Sequence, residues 1–235
     1  RSSLHQAGGK ITTEGVPGAA ELLRAAWEGA EIAPTDGLTH GFHAYPGRMF
    51  PFVAAQVIQG FSSPGGAVVD PFVGSGTVLV EGMAAGRAAA GVDINAIALR
   101  IAWARTRCWG AESIEELRAL SQKISDDAFK RARKKISQRP NEAARTVARW
   151  YDPHVMQELL TLWNLIREVK DRELRQLCEM IFSSLVVKVS HRASETDPRF
   201  KRRTVGRGST SRLFGEKGHL LSDGLAALAQ VVPEG

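Results

Sequence analysis

Residues 67–102 read AVVDPFVGSGTVLVEGMAAGRAAAGVDINAIALRIA, and the order of signals in this stretch decides the fold. Ala67 to Asp70 is a short apolar run suited to a buried parallel strand. A glycine loop follows, then a predicted helix from about Thr77 to Ala85 that stops at Gly86. A second apolar run, Ala88 to Val92, ends at Asp93, and Ile94 to Arg107 reads as another helix. Strand, glycine loop, helix, strand and terminal acid together open a doubly wound α/β domain.

The loop Gly74-Ser75-Gly76 would say little alone, because GxG is common. Its setting gives it meaning. Asp70 ends the strand before it, and Asp93 ends the next strand about twenty residues on. Glycines let a backbone approach a nucleoside closely, and an acid at that strand end can hydrogen-bond both ribose hydroxyls. A dinucleotide fingerprint would want a third glycine where Leu79 stands, and no P-loop lysine follows the loop. The pattern favours a nucleoside cofactor that needs no phosphate cradle. The alternative is a tight βα turn in a domain that binds no cofactor.

Upstream, Gly18 to Ala30 places Leu22, Leu23, Ala26 and Trp27 on one helical face, and Pro34-Thr35-Asp36-Gly37 then breaks the chain. Residues 50–61 predict a short apolar helix closed by the turn Ser62 to Gly66. The stretch before about Gly15 reads as loose. Downstream, three helical segments are expected: Ser113 to Ser137, Pro153 to Val169 and Asp171 to Val187. Pro140-Asn141 and Tyr151-Asp152-Pro153 separate them, with Asp152 as N-cap and Pro153 at the first helical position. Ser190 to Ser211 reads as a loop, and a modest amphipathic helix, Arg212 to Val231, follows.

The 235 residues are 43% hydrophobic and 24% charged, a globular balance, and the formal net charge of +6 favours a polyanionic partner. Cys108 and Cys178 have no metal-ligand spacing and are expected as buried small apolar residues, which suits a reducing compartment. No apolar run approaches a membrane span, and the first ten residues lack a signal-peptide core. The expectation is a soluble, cytoplasmic protein.

Asp70-Pro71-Phe72-Val73-Gly74-Ser75-Gly76-Thr77 resembles the first motif of the amino-directed DNA methyltransferases, which use S-adenosylmethionine to make N6-methyladenine or N4-methylcytosine. His43 to Pro51 resembles the segment those enzymes place before the first strand, and Gly91-Val92-Asp93-Ile94-Asn95 resembles their second motif. The resemblance is sharp over residues 39–100 and diffuse to about 190. It implies a Rossmann-like α/β methyltransferase sheet, incomplete in this chain, with a large helical insertion. It also implies an order: an N-terminal helical extension (1–38), a cofactor-binding core (39–110), a helical region (111–189), and a basic loop with a C-terminal helix (190–235).

The implied site follows residue by residue. Arg48 would lie near the cofactor carboxylate. Asp70 would anchor the loop and face the methionine amino group. Gly74 and Gly76 would admit the cofactor, Asp93 would hold the ribose, and Ile94 would line the adenine pocket. Pro71, Ser75 and Thr77 complete the candidate cofactor-binding set. Phe72 is either a packing residue or a cofactor contact. His43 and Tyr45 are either functional or simply loop hydrogen-bonding groups.

The family's catalytic segment is Asp, Asn or Ser followed by Pro-Pro and an aromatic residue, which grips the target amine. No Pro-Pro occurs in the 235 residues, and the Asp-Pro pairs at 152 and 197 continue as His154 and Arg199. Two strands are also too few for such a sheet. A truncated chain, a split enzyme completed by a second polypeptide, and a degenerate non-catalytic subunit all fit. An incomplete chain is the preferred reading, and no catalytic residue is assigned.

Two segments are strongly basic. Lys130 to Arg149 holds eight Lys/Arg against Glu142, and Lys188 to Arg212 holds eight against Glu195 and Asp197. The first is expected as a solvated helix face. The second suits phosphate contact, with Arg199, Lys201, Arg202, Arg203 and Arg207 as nucleic-acid-binding candidates, unpaired and exposed. DNA is the expected partner, with RNA as the rival.

Overall fold

The computed structural model describes residues 11–134, 142–194, 197 and 199–233. The first ten residues, the Pro140-Asn141 break, the end of the expected 113–137 helix and Glu195 lie outside the described residues, as does the middle of the first basic segment. The described chain is mixed α/β. The elements are α1 (Pro17–Ala30), α2 (Pro51–Phe61), β1 (Ala67–Asp70), α3 (Thr77–Ala84), β2 (Ala88–Gly91), α4 (Ala96–Arg105) and α5 (Ala111–Arg133). They continue with α6 (Glu142–Val147), α7 (Pro153–Arg167), α8 (Arg172–Val186) and α9 (Ser209–Val231).

Both strands fall where the apolar runs put them. They pair in parallel, Ala67 opposite Ala88 and Asp70 opposite Gly91, with α3 as the crossover. One face of this ribbon, Val68 and Ala89, rests on α3 at Gly82, where a β-carbon would meet Ala89 at 3.3 Å. The opposite face, Ala67, Val69, Ala88 and Ala90, is exposed.

Local chemistry sets the helix starts. Pro17, Pro51 and Pro153 occupy first-turn positions of α1, α2 and α7, where a missing N–H costs nothing. Asn95 and Asp171 cap α4 and α8 by accepting from the backbone N–H of Ile97 and Leu174. Asp152 stands at the α7 N-cap as expected but makes no capping bond. Its carboxylate lies instead 3.5 Å from His191 Nε2.

The main core lies among the helices. Ile101 of α4, Leu117 and Ile124 of α5, Leu162 and Ile166 of α7, Leu177 and Ile181 of α8, and Phe214, Leu221 and Leu225 of α9 are buried together with Phe42. The expected modest amphipathic helix is therefore corrected: α9 is the central element. A β-carbon on Gly218 would fall 2.1 Å from Ser121 Oγ, so only glycine lets α9 approach α5 this closely. Glu158 of α7, 2% exposed, accepts from the N–H groups of Gly208 (2.6 Å) and Ser211 (3.0 Å), so a carboxylate caps the positive end of α9. Cys178 is buried, which pushes its thiol up to about 12, whereas Cys108 is exposed, contrary to expectation.

Candidate cofactor site

The glycine loop sits at the C-terminal end of the two strands. Gly74 (φ 50°) and Gly76 (φ 84°) both adopt the left-handed conformation that glycine enters without strain. Asp70 Oδ1 accepts from Phe72 N at 2.9 Å, which turns the chain out of β1. Asp93 reaches across from the end of β2: its Oδ2 accepts from Gly74 N and its Oδ1 from Asn95 N, both at 2.8 Å. Each of those oxygens keeps a further lone pair for a ligand donor.

Beneath the loop lies a residue that the sequence reading missed. Arg105, at the end of α4, is fully buried. Its Nη1 donates to the carbonyl and hydroxyl oxygens of Ser75 (2.7 and 2.8 Å), and its Nε donates to Thr39 O (3.1 Å). Its Nη2 donates to His40 Nδ1, so His40 carries its proton on Nε2 and donates it to Glu81 Oε1 at 2.6 Å. Burial, with the nearby Arg48 charge, pushes the Arg105 pKa down, and burial lowers those of His40 and Arg48 as well. The available signal was an arginine inside the apolar run AIALRIAWAR, and its partners lie too far along the chain to be seen by spacing.

Above the loop, the ring of Tyr45 lies 3.5 Å from where a Gly74 β-carbon would stand, and its hydroxyl accepts from Asn95 Nδ2 at 3.1 Å. His43 is buried: its Nδ1 donates to Ala44 O (2.7 Å) and its Nε2 accepts from Ser183 Oγ (3.1 Å). Burial, reinforced by the charge of Lys217, holds its pKa down at about 4. Lys217 of α9 donates to Phe42 O at 2.7 Å, fixing the same segment from behind.

The candidate residues thus separate into two sets. Asp70, Pro71, Phe72, Gly74, Asp93 and Ile94 surround the outer mouth of the loop, with Phe72 86% exposed and Ile94 fully so. Ser75 and Thr77 are buried, and Gly76 backs onto α4, where a β-carbon would meet Ala102 at 2.9 Å. These three shape the loop from within. Arg48 lies on this inner side, lining a small cavity with Thr77 and His40 and donating to His40 O at 2.8 Å. Among the described residues, no group of three or more His, Cys, Asp or Glu is placed to hold a metal, and no helix is long and apolar enough to cross a membrane.

A family model described as DNA methylase matches residues 14–103, the stretch that carries this loop and its acids. Residues 14–103 belong to the DNA methylase family. The chain is 32% identical over 169 residues to the type II methyltransferase M.MvaI of Kocuria varians, covering 67% of this chain and 36% of that protein. It is 26% identical over 111 residues to the type II methyltransferase M.MjaII of Methanocaldococcus jannaschii, covering 44% of this chain and 21% of that protein. The matched part therefore spans about a third or less of these methylases. No solved structure matches.

Beyond residues 14–103, the basic loop departs from expectation in two places. Arg199 is paired with Asp197, its Nη2 2.7 Å from Oδ2, and holds that carboxyl down at about 2. Arg203 is half-buried and donates to the carbonyls of Lys188 (3.0 Å) and Ala193 (2.9 Å). It rivets the loop rather than facing solvent. Backbone carbonyls satisfied what the local shortage of acid had left open. Lys201, Arg202 and Arg207 are exposed as expected.

Proposed function

We propose that residues 39–110 form the S-adenosylmethionine-binding part of a Rossmann-like methyltransferase sheet. The whole protein would then methylate an exocyclic amino group of adenine (N6) or cytosine (N4) in DNA. The observation that carries this reading is the strand-end pair: a left-handed Gly74 beside the Tyr45 ring, and the Asp93 carboxylate next to it with lone pairs to spare. Such a site accepts a nucleoside whose ribose hydroxyls donate to Asp93, while Phe72 and Ile94 offer apolar surface to its base. Asp70 is the charge assigned to the cofactor's amino group, whereas Arg48, turned inward onto His40 O, would have to swing out to meet its carboxylate. When bound, S-adenosylmethionine supplies an electrophilic methyl group on a sulfonium, and the protein's task is to align a target nitrogen with it.

The residues that grip that nitrogen are assigned to polypeptide beyond these 235 residues, either the continuing chain or a second subunit. The uncovered face of Ala67, Val69, Ala88 and Ala90 supports this, because parallel sheets are covered on both faces. Calorimetric titration with S-adenosylhomocysteine tests the cofactor assignment. Asp93→Ala should weaken binding by about 1.5–3 kcal/mol for each lost charged hydrogen bond, and equal affinity in the two proteins would sink the ribose assignment. In a radiolabelled methyl-transfer assay, the chain alone should give no turnover on DNA, and robust turnover would overturn the division of labour.

A further inference from the structure

The loop that follows α8 is folded back on itself around one side chain. His191 N donates to Trp150 O at 2.7 Å, and His191 O accepts from Lys201 N at 2.6 Å. His191 Nδ1 accepts from Arg203 N at 3.2 Å, and Arg192 and Phe200 form an antiparallel bridge. Together with the two bonds of the Arg203 guanidinium, this holds Phe200 in one place. Its ring packs 5.0 Å from the His191 ring and 6.1 Å from the Trp150 ring, tilted 33° to the latter. It is nevertheless 60% exposed.

The surroundings of Phe200 are cationic. Arg149 lies over the Trp150 ring at 5.4 Å, and the exposed Lys201 and Arg202 follow Phe200 directly. Of the acids described nearby, Asp197 is matched by Arg199, and the Asp152 carboxylate faces His191 Nε2 at 3.5 Å behind the ring. A fixed ring backed by a second ring and bordered by free cations is the combination used to stack nucleobases while holding their phosphates. A phosphate contact alone would need the cations but would leave the exposed ring without a purpose, and an acidic protein surface would likewise leave it uncovered.

We propose that Phe200, backed by Trp150 and His191, is a stacking platform for an unpaired DNA base, with Arg149, Lys201 and Arg202 on the flanking phosphates. This rests on the reading of the chain as directed to DNA. It adds a specific contact: the platform receives a base that has left the duplex stack, on residues other than those of the glycine loop.

The experiment compares two labelled duplexes of one sequence, fully paired or carrying a single unpaired 2-aminopurine, by anisotropy and by 2-aminopurine fluorescence. Wild type should prefer the unpaired probe and quench its fluorescence. Phe200→Ala and Phe200→Leu should bind that probe about 5- to 150-fold more weakly and lose the quenching. Phe200→Tyr should keep both, which separates stacking from bulk and from misfolding. Lys201→Ala with Arg202→Ala should weaken both probes alike and flatten the salt dependence. Unchanged preference and quenching in Phe200→Ala would overturn the platform. Wild type binding both probes equally would also overturn it while leaving the DNA reading in place, and binding to neither would remove both.

Discussion

On the helical side, α9 buries Phe214, Leu221 and Leu225 against α5, α7 and α8, closely enough that Gly218 has no room for a side chain. On the sheet side, Val69 is 70% exposed, and the outward residues of both strands have little over them among the described residues. Residues 14–103, which match the family model, thus carry the open sheet face, and most of the main helical core lies downstream of them. A binding loop needs a rigid support more than it needs a core of its own. Here the support comes from behind, through Arg105, Lys217 and the segment 39–45.

The strongest test of this comparison is the support beneath the glycine loop, where Arg105 ties Ser75 to Thr39 and His40. Arg105→Ala would strand the carbonyls of Thr39 and Ser75 and the Nδ1 of His40, each a buried acceptor. A cost of at least about 3 kcal/mol is expected, at about 1–3 for each of the three orphaned groups. Urea unfolding measures it. Arg105→Lys should recover only part, because an ammonium cannot reproduce the guanidinium fork. Unaltered stability in Arg105→Ala would mean the glycine loop does not depend on this support.

The contrast itself can be measured with a pair of truncations. Leu221→Ala should cost about 2–5 kcal/mol, as a fully buried leucine does, whereas Val69→Ala should change stability by no more than about 0.5 kcal/mol. A large loss for Val69→Ala would show that this face is covered in solution, and the argument for added polypeptide over the sheet would fall with it.

A third test uses pH. His43 has an ordinary pKa near 6.5, lowered to about 4 in the folded protein by burial. Between those values the unfolded chain binds more protons than the folded one. Its contribution is therefore fully present above pH 6.5 and is lost as pH falls through about 4. The loss between pH 7.5 and 4.5 should be about 2–3 kcal/mol, and His43→Gln should flatten the stability profile by that amount. Parallel profiles for wild type and variant would place His43 in a more solvated setting than its 7% exposure indicates.

The two regions also differed in how legible they were. Ala67–Asp70 and the start of α3 at Thr77 came directly from the residues, because short apolar runs bounded by glycine and acid are local signals. Asp93 beside Gly74 followed from their positions at adjacent strand ends. The rank of α9 did not, because its closeness to α5 depends on Gly215 and Gly218 meeting Ser125 and Ser121, and small residues carry no hydrophobic signal. Arg203 and Arg105 were misjudged or missed for a related reason. Their partners are mainly backbone carbonyls, which every residue owns and no sequence advertises.

The smallest of the expected losses at a bonded group lies where the support meets the site. Tyr45 lies over Gly74 and accepts a hydrogen bond from Asn95, whose Oδ1 meanwhile caps α4. Tyr45→Phe removes the hydroxyl and keeps the ring, so the cover over the glycine loop should persist while its tether is cut. Asn95 is exposed, so its freed amide can turn to water, and the loss in stability should be about 0.5–1.5 kcal/mol, the net worth of one ordinary hydrogen bond. Tyr45→Ala should do more, because it uncovers the loop as well. Calorimetry with S-adenosylhomocysteine then distinguishes the two contributions. If the ring positions the cofactor site, affinity should fall for Tyr45→Ala and hold nearly constant for Tyr45→Phe. Equal losses in both would make the tether to Asn95 the element that sets the loop, and the helical side would then reach the cofactor through the α4 cap rather than through the ring.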